Sequence, residues 1–133
     1  MGIDVLLSMN FNIDINEDRR LIVAKIYGIW KQETAEVYHD EYQNVARPLL
    51  GEKWAKLTNL TNWRSSYPEI IEVLGKHMHW CLENGAAYST YVIDNPVTRN
   101  QLQKMISSGN AGTISKLFRT VQEADRFLRE QGF

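Results

Sequence analysis

Cysteine is nearly absent from this 133-residue chain, and the single one, Cys81, can form no internal disulfide. An unpaired thiol suits a reducing compartment, so the expected location is the cytoplasm. The opening Met1-Gly2-Ile3-Asp4-Val5-Leu6 lacks the basic segment, long apolar run and small-residue cleavage site of a signal peptide. It also offers no Ser or Thr where a myristoylation signal needs one, and no apolar stretch approaches the length of a membrane span, which excludes membrane insertion. Charge of one sign is missing too: 15 basic residues against 16 acidic ones leave a formal charge of −1. No global field draws the chain to nucleic acid or to an anionic bilayer, and any partner must be recognised locally.

Chemical signatures are equally scarce. There is no Gly-x-Ser-x-Gly elbow for nucleophilic catalysis, no Gly-x-Gly-x-x-Gly and no phosphate-binding Gly-x-x-x-x-Gly-Lys-Ser/Thr; Gly109-Asn110-Ala111-Gly112 is only a flexible loop. His77 and His79, two apart on a helix, point about 200° away from each other and cannot share a metal as an i, i+4 pair does. His77 falls on the apolar face and His79 on the opposite one, with Cys81 as a packing residue. No enzyme activity, metal or cofactor is therefore expected.

What is present is ordinary folding material, 44% apolar and 23% charged, with no linker, repeat or low-complexity stretch to divide it. A single domain over residues 1–133 follows, with residues 1–10 as a loose N-terminal segment. Phe11, Ile13 and Ile15 alternate with polar residues, and Leu21 to Tyr27 is a more buried run; the short polar turn between them predicts an antiparallel hairpin ending at Gly28. Ala35, Tyr38, Tyr42, Val45, Ala46 and Leu49 mark one face of a helix over 32–50, stopped by Gly51. Trp54 to Leu60 predicts a third strand.

A second helix is expected to start near Ser66, where Ser66 and Glu69 have capping-box spacing and Pro68 falls in the first turn, and to end at Asn84-Gly85. Tyr88 to Ile93 predicts a fourth strand. Asn95 caps a third helix with Pro96 at its first position and Val97, Leu102, Met105 and Ile106 inward. Ile114 to Arg119 predicts a last strand, followed by a helix capped by Thr120 and Glu123 with Val121, Ala124, Phe127 and Leu128 inward. After the hairpin every strand is separated from the next by a helix, which forces crossovers and mostly parallel pairing.

This order, with Gly28-Ile29-Trp30 leading into Glu33-Thr34-Ala35 and Leu117-Phe118-Arg119-Thr120 leading into Glu123-Ala124, resembles STAS domains, and more closely the SpoIIAA-like branch. That branch is related to anti-sigma factor antagonists and associated with SEC14-like folds. The resemblance covers roughly residues 10 to 133. It implies an α/β fold whose mixed, mostly parallel sheet of about five strands is flanked by about four helices. By the same resemblance a phosphorylatable Ser would sit where the third strand meets the second helix, which points to Ser65 or Ser66. The family's motif there is of Asp-Ser-Ser-Gly type, however, and this chain has Arg64 in place of the acid and Tyr67 in place of the glycine. A plain capping role for Ser66 accounts for the residue as well.

Most of the aromatic residues are expected to fill the core. Trp63, Arg64 and Tyr67 are set apart, because Trp and Arg are enriched at interface hot spots and strand-to-helix turns of parallel sheets converge on binding sites. The expected function is a non-enzymatic regulatory module that binds a protein partner, or a second copy of itself, through this turn. The alternative, carried by the SEC14-like association, is a small-molecule or lipid carrier, which requires an apolar cavity.

Overall fold

The computed structural model describes residues 10–64 and 68–133. Strands β1 (Phe11–Asn16) and β2 (Leu21–Gly28) form the hairpin, followed by α1 (Gln32–Ala46), β3 (Trp54–Trp63), α2 (Glu69–Glu83), β4 (Ala86–Val92), α3 (Pro96–Ser108), β5 (Ser115–Phe118) and α4 (Val121–Glu130). The sheet runs in the order β1-β2-β3-β4-β5, antiparallel between β1 and β2 and parallel in every later pair. This is the mixed, mostly parallel α/β sheet that the spacing of the elements implied.

The strand order explains where the helices lie. Crossovers of one hand that advance across a sheet in one direction deposit their helices on one face. Accordingly α1, α2 and α3 share the large core, built on Ile22, Ala24, Ile26, Tyr42, Ile70 and Leu102 among others. The terminal helix α4 makes no crossover and covers the other face, where Ala124 and Leu128 meet Leu21, Ala55, Leu57 and Val92. Arg19 of the β1–β2 turn holds it there, through an ion pair to Asp125 at 2.8 Å and a hydrogen bond to the Phe133 carbonyl at 3.0 Å. One helix cannot cover a five-stranded sheet, and part of that face is left open to solvent.

Several boundaries differ from expectation for identifiable reasons. Helix α1 stops at Ala46 and continues only as a 3₁₀ turn, Arg47–Leu49, because Pro48 has no N–H to extend the α-helical ladder. Helix α2 begins at Glu69, so Pro68 flanks the helix and does not lie within its first turn; the expected Ser66 cap falls outside the described residues. Val97 and Val121, expected to face inward, are exposed. Each sits in the first turn of its helix, and the inward places go to Thr98 and Ala124. The caps at Asn95 and Thr120 are present, Asn95 accepting from the Val97 and Thr98 amides and Thr120 from that of Glu123.

Helices α2 and α3 meet through glycine. A Cβ built on Gly109, just beyond α3, would lie 2.2 Å from the Gly75 carbonyl oxygen, and one on Gly75 would lie 2.7 Å from Ser108 Oγ. His79 closes the same junction through a contact of its Nδ1 with the Gly109 carbonyl at 2.9 Å. Backbone cannot retreat from such a clash as a flexible side chain can. Gly109→Ala is therefore expected to destabilise the protein by about 2–3 kcal/mol through overpacking, measurable by urea denaturation; an unchanged midpoint would show that the junction yields.

Candidate functional site

An extra residue in β3 shapes the carboxyl end of the sheet. Lys25 of β2 pairs with Asn59, but Tyr27, two residues on, pairs with Asn62, three residues on. This β-bulge needs somewhere to put the backbone groups that leave the ladder. Asn59 supplies it: its Oδ1 accepts from the Thr61 amide at 3.1 Å and the Thr61 hydroxyl at 2.9 Å. Beyond the bulge the faces are exchanged, because a one-residue slip sends each later side chain to the opposite side. Leu60 and Trp63, three apart, both enter the large core, while Asn62 and Arg64 are exposed.

Trp63, set apart with Arg64 and Tyr67 as an interaction residue, lies in the core. It is 4% exposed and packs edge-on against Trp30 at 6.0 Å between ring centroids. Its place in the core makes it a support for the turn. Arg64 follows it at the surface, held beside β2 by its amide, which donates to the Gly28 carbonyl at 2.9 Å. Gly28 adopts φ +77°, and a Cβ there would meet Asn10 Oδ1 at 2.7 Å, so this position requires glycine. Ser65, Ser66 and Tyr67 lie outside the described residues.

These residues border an open cleft of about 680 Å³, lined by Lys25, Tyr27, Thr61, Asn62 and Arg64, with Asn12 from β1 and Asn95 from the cap of α3. It occupies the part of the sheet that α4 leaves bare. Exposed aliphatic side chains stand on the same rim: Ile29, just past β2, is 60% exposed and Val97, in the first turn of α3, is 66% exposed. The β3 end with Arg64 lies between them, because β3 lies between β2 and β4. Strand spacing and residue type pointed to the turn as a site, but Ile29 and the polar sheet face carried no signal in the sequence.

Deeper in the large core lies a cluster that sequence reasoning missed. Lys56, on β3, is 1% exposed and has no carboxylate partner among the described residues. Its Nζ lies 3.4 Å from His77 Nε2 and 3.6 Å from Cys81 Sγ, over the rings of Tyr42 and Tyr91 at 5.0 and 5.7 Å from their centroids. His77 and Cys81, four apart on α2, present their side chains together, and His77 Nδ1 meets His39 Nδ1 of α1 at 2.9 Å. Gln43 closes the series at 2.7 Å from His39 Nε2, near the surface. Lysine in a strand that also carries Thr58, Asn59, Thr61 and Asn62 gave no hint of burial, because its ordinary place is the surface. The inward orientation of His77 and the outward one of His79 agree with the helical spacing.

The cluster's electrostatics follow from its closure. Burial works against a charge on Lys56, while its interactions with Cys81, Tyr91 and Tyr38 and its hydrogen bond to Cys81 favour it and prevail, so its ammonium is held above the ordinary lysine range. Burial raises the Cys81 thiol, against the pull of Lys56, which keeps it an inert thiol. Burial likewise raises Tyr38 and Tyr42. With Lys56 charged, its ammonium donates to His77 Nε2, and a neutral His77 then has one Nδ1–H to give to His39. A second proton on His77 would set two donors face to face. His77 is accordingly lowered well below the ordinary histidine range, by burial, then by Lys56 and His39. His39 is lowered by burial, which outweighs Asp40 raising it.

Space beside this cluster amounts to about 20 Å³, bordered by Lys56, Thr58, His77 and Tyr91. That is on the order of one water molecule and leaves no room for a substrate or an acyl chain. Among the described residues no group of three or more His, Cys, Asp or Glu side chains is placed to hold a metal ion, and no helix is long and apolar enough to cross a membrane.

The order and pairing of the elements give a STAS/SpoIIAA-like fold. No family model matches the chain, and no curated protein matches it in sequence. Among solved structures it is similar to an anti-sigma factor antagonist from Mycobacterium paratuberculosis, with a TM-score of 0.61, 14% identity, and coverage of 90% of this chain and 94% of that one. It is also similar to the protein TM1081, at a TM-score of 0.55 and 15% identity, covering 88% of this chain and 86% of that one. At such identities the likeness shows the fold.

Two expectations follow. Trp63→Ala removes a buried indole from the base of the turn and is expected to cost about 3–5 kcal/mol, read from urea denaturation; a loss under 1 kcal/mol would mean that the ring is not part of the core. Stability is expected to depend on pH through His39 and His77. Their folded values are lowered, so the unfolded chain takes up protons first as pH falls below about 6.5. Stability is then full above that pH and declines beneath it, by up to about 1.4 kcal/mol per pH unit for each histidine, until the folded value is reached. Denaturation curves between pH 8 and pH 5 check this, and a flat profile would contradict it.

Proposed function

We propose that this chain is a non-enzymatic, regulatory protein-interaction module that docks its partner on the rim formed by the carboxyl ends of β2, β3 and β4. Arg64 is the central contact, with the neighbouring Tyr67, and Trp63 supports them from the core. The observation that carries this reading is the pairing of the two most exposed large aliphatics among the described residues, Ile29 and Val97, on either side of Arg64. Exposed apolar side chains beside an arginine have the composition of an interface centre. Ser65 and Ser66 follow Arg64 directly in the sequence and are the positions at which a phosphate would alter docking.

Support also comes from the fold. One structurally similar protein is named an anti-sigma factor antagonist, and an analogous role here makes an anti-sigma-factor-type regulator the expected kind of partner. The carrier alternative receives less support, because the enclosed space in the core is about 20 Å³ and the larger cleft is polar and open. The same small enclosed space argues against Lys56, His77 and Cys81 acting on a substrate.

A photo-crosslinking residue placed at Arg64 tests the proposal in the native host, with the same residue at exposed Gln122 of α4 as the control. A discrete protein adduct is expected at position 64 alone, weakened at least about fivefold by Val97→Asp. An adduct with a second copy of the chain would identify the partner as itself. Equal labelling at both positions, or no adduct, would remove the rim as the docking surface.

A further inference from the structure

We infer that the open cleft on the sheet face left bare by α4 is a binding site for a phosphate monoester. Lys25 of β2 and Arg64 beyond β3 both line it, and among the described residues neither forms an ion pair. Among the described residues no carboxylate lines the cleft; its remaining polar groups include the side-chain amides of Asn12, Asn62 and Asn95 and the Thr61 hydroxyl. Two of these already have assigned acceptors or donors. Asn95 uses its Oδ1 to cap α3, and Thr61 donates its hydroxyl to Asn59, so Asn95 turns toward the cleft as an N–H donor and Thr61 as an acceptor.

The lining thus combines two cations with three carboxamides, which supplies more donors than the two oxygens of a carboxylate would use. A phosphate monoester carries about −1.5 to −2 charges at neutral pH and three acceptor oxygens, matching the two cations in charge and the guanidinium and amide donors in number. The site is also built by the fold and does not rest on long side chains alone. Register places Asn12 directly across from Lys25, and the bulge after Asn59 turns Thr61 and Asn62 outward together. A volume of about 680 Å³ is several times what a bare phosphate fills, so the phosphate is one end of a larger molecule.

The site shares Arg64 with the proposed docking rim but does not depend on it, since Lys25 lies on the sheet face, away from the turn. The test follows amide shifts of the isotope-labelled full chain during titration with inorganic phosphate, ribose 5-phosphate and a peptide containing O-phosphoserine. Saturable shifts centred on Asn12, Lys25, Asn62 and Arg64 are expected for all three. The tighter of the two esters would show whether the phosphate arrives on a small metabolite or on a phosphorylated side chain. Lys25→Glu is expected to weaken binding roughly tenfold or more while leaving crosslinking at position 64 intact. Arg99→Glu, a charge reversal outside the cleft, is expected to leave phosphate binding unchanged. Lys25 and Arg99 are both exposed, and matching unfolding midpoints would verify that the variants fold. Absence of saturation at tens of millimolar phosphate, retention of binding in Lys25→Glu, or equal loss in Arg99→Glu would each overturn the assignment.

Discussion

Asn59 accepts two hydrogen bonds from Thr61, and in that small closure β3 absorbs one more residue than β2 can match. Side-chain direction in a strand has a period of two, so the consequence reaches well beyond the bulge. Without it, Trp63 would stand on the solvent face and Asn62 would take its place over the core. With it, the indole packs against Trp30 and the polar pair Thr61 and Asn62 faces the cleft. The same arrangement brings the Arg64 amide to the Gly28 carbonyl, in the place where Gly28 has the positive φ that a side chain would strain. Core, cleft and rim are thus set by a single local irregularity.

The distribution of helices is the second constraint. Three crossovers advancing one way place α1, α2 and α3 together, and α4 alone must cover the opposite face. Its apolar contacts are concentrated over Leu21, Leu57 and Val92, and the carboxyl ends of β2 and β3 remain bare on that side. A polar surface in the middle of a sheet is stable there because its side chains are hydrated. The buried cluster of Lys56, His77, His39 and Cys81 sits on the other side of the same sheet, under three helices, with space on the order of a single water molecule beside it. The two faces therefore differ in kind, one closed and electrostatically tense, the other open and able to meet a ligand.

Much of the architecture was legible in the sequence. Alternation from Phe11 to Ile15, the three- and four-residue steps of α1 and α2, and the caps at Asn95 and Thr120 are local signals, each generated by residues close together in the chain. The order of those elements then required crossovers, and crossovers required parallel strands. What failed did so where the local signal was ambiguous. Valine in the first turn of a helix has an inward or outward place depending on what the rest of the fold sets beneath it, and Val97 and Val121 are exposed.

Sequence by itself determined the element types, the mixed parallel sheet and the turn after β3 as a place of interest, because periodicity, capping and connection length act over short distances. Tertiary structure alone decided which side chains that turn displays. Trp63 is buried and Arg64 exposed because β3 is out of step with β2, a relation between strands 30 or more residues apart that no single strand's pattern contains. It also decided that Lys56 is buried, since only the meeting of β3 with α1 and α2 encloses its side chain between Tyr42, His77 and Cys81. Burial of a charge and the composition of a cleft are properties of juxtaposed segments, and they exist only once the chain has folded.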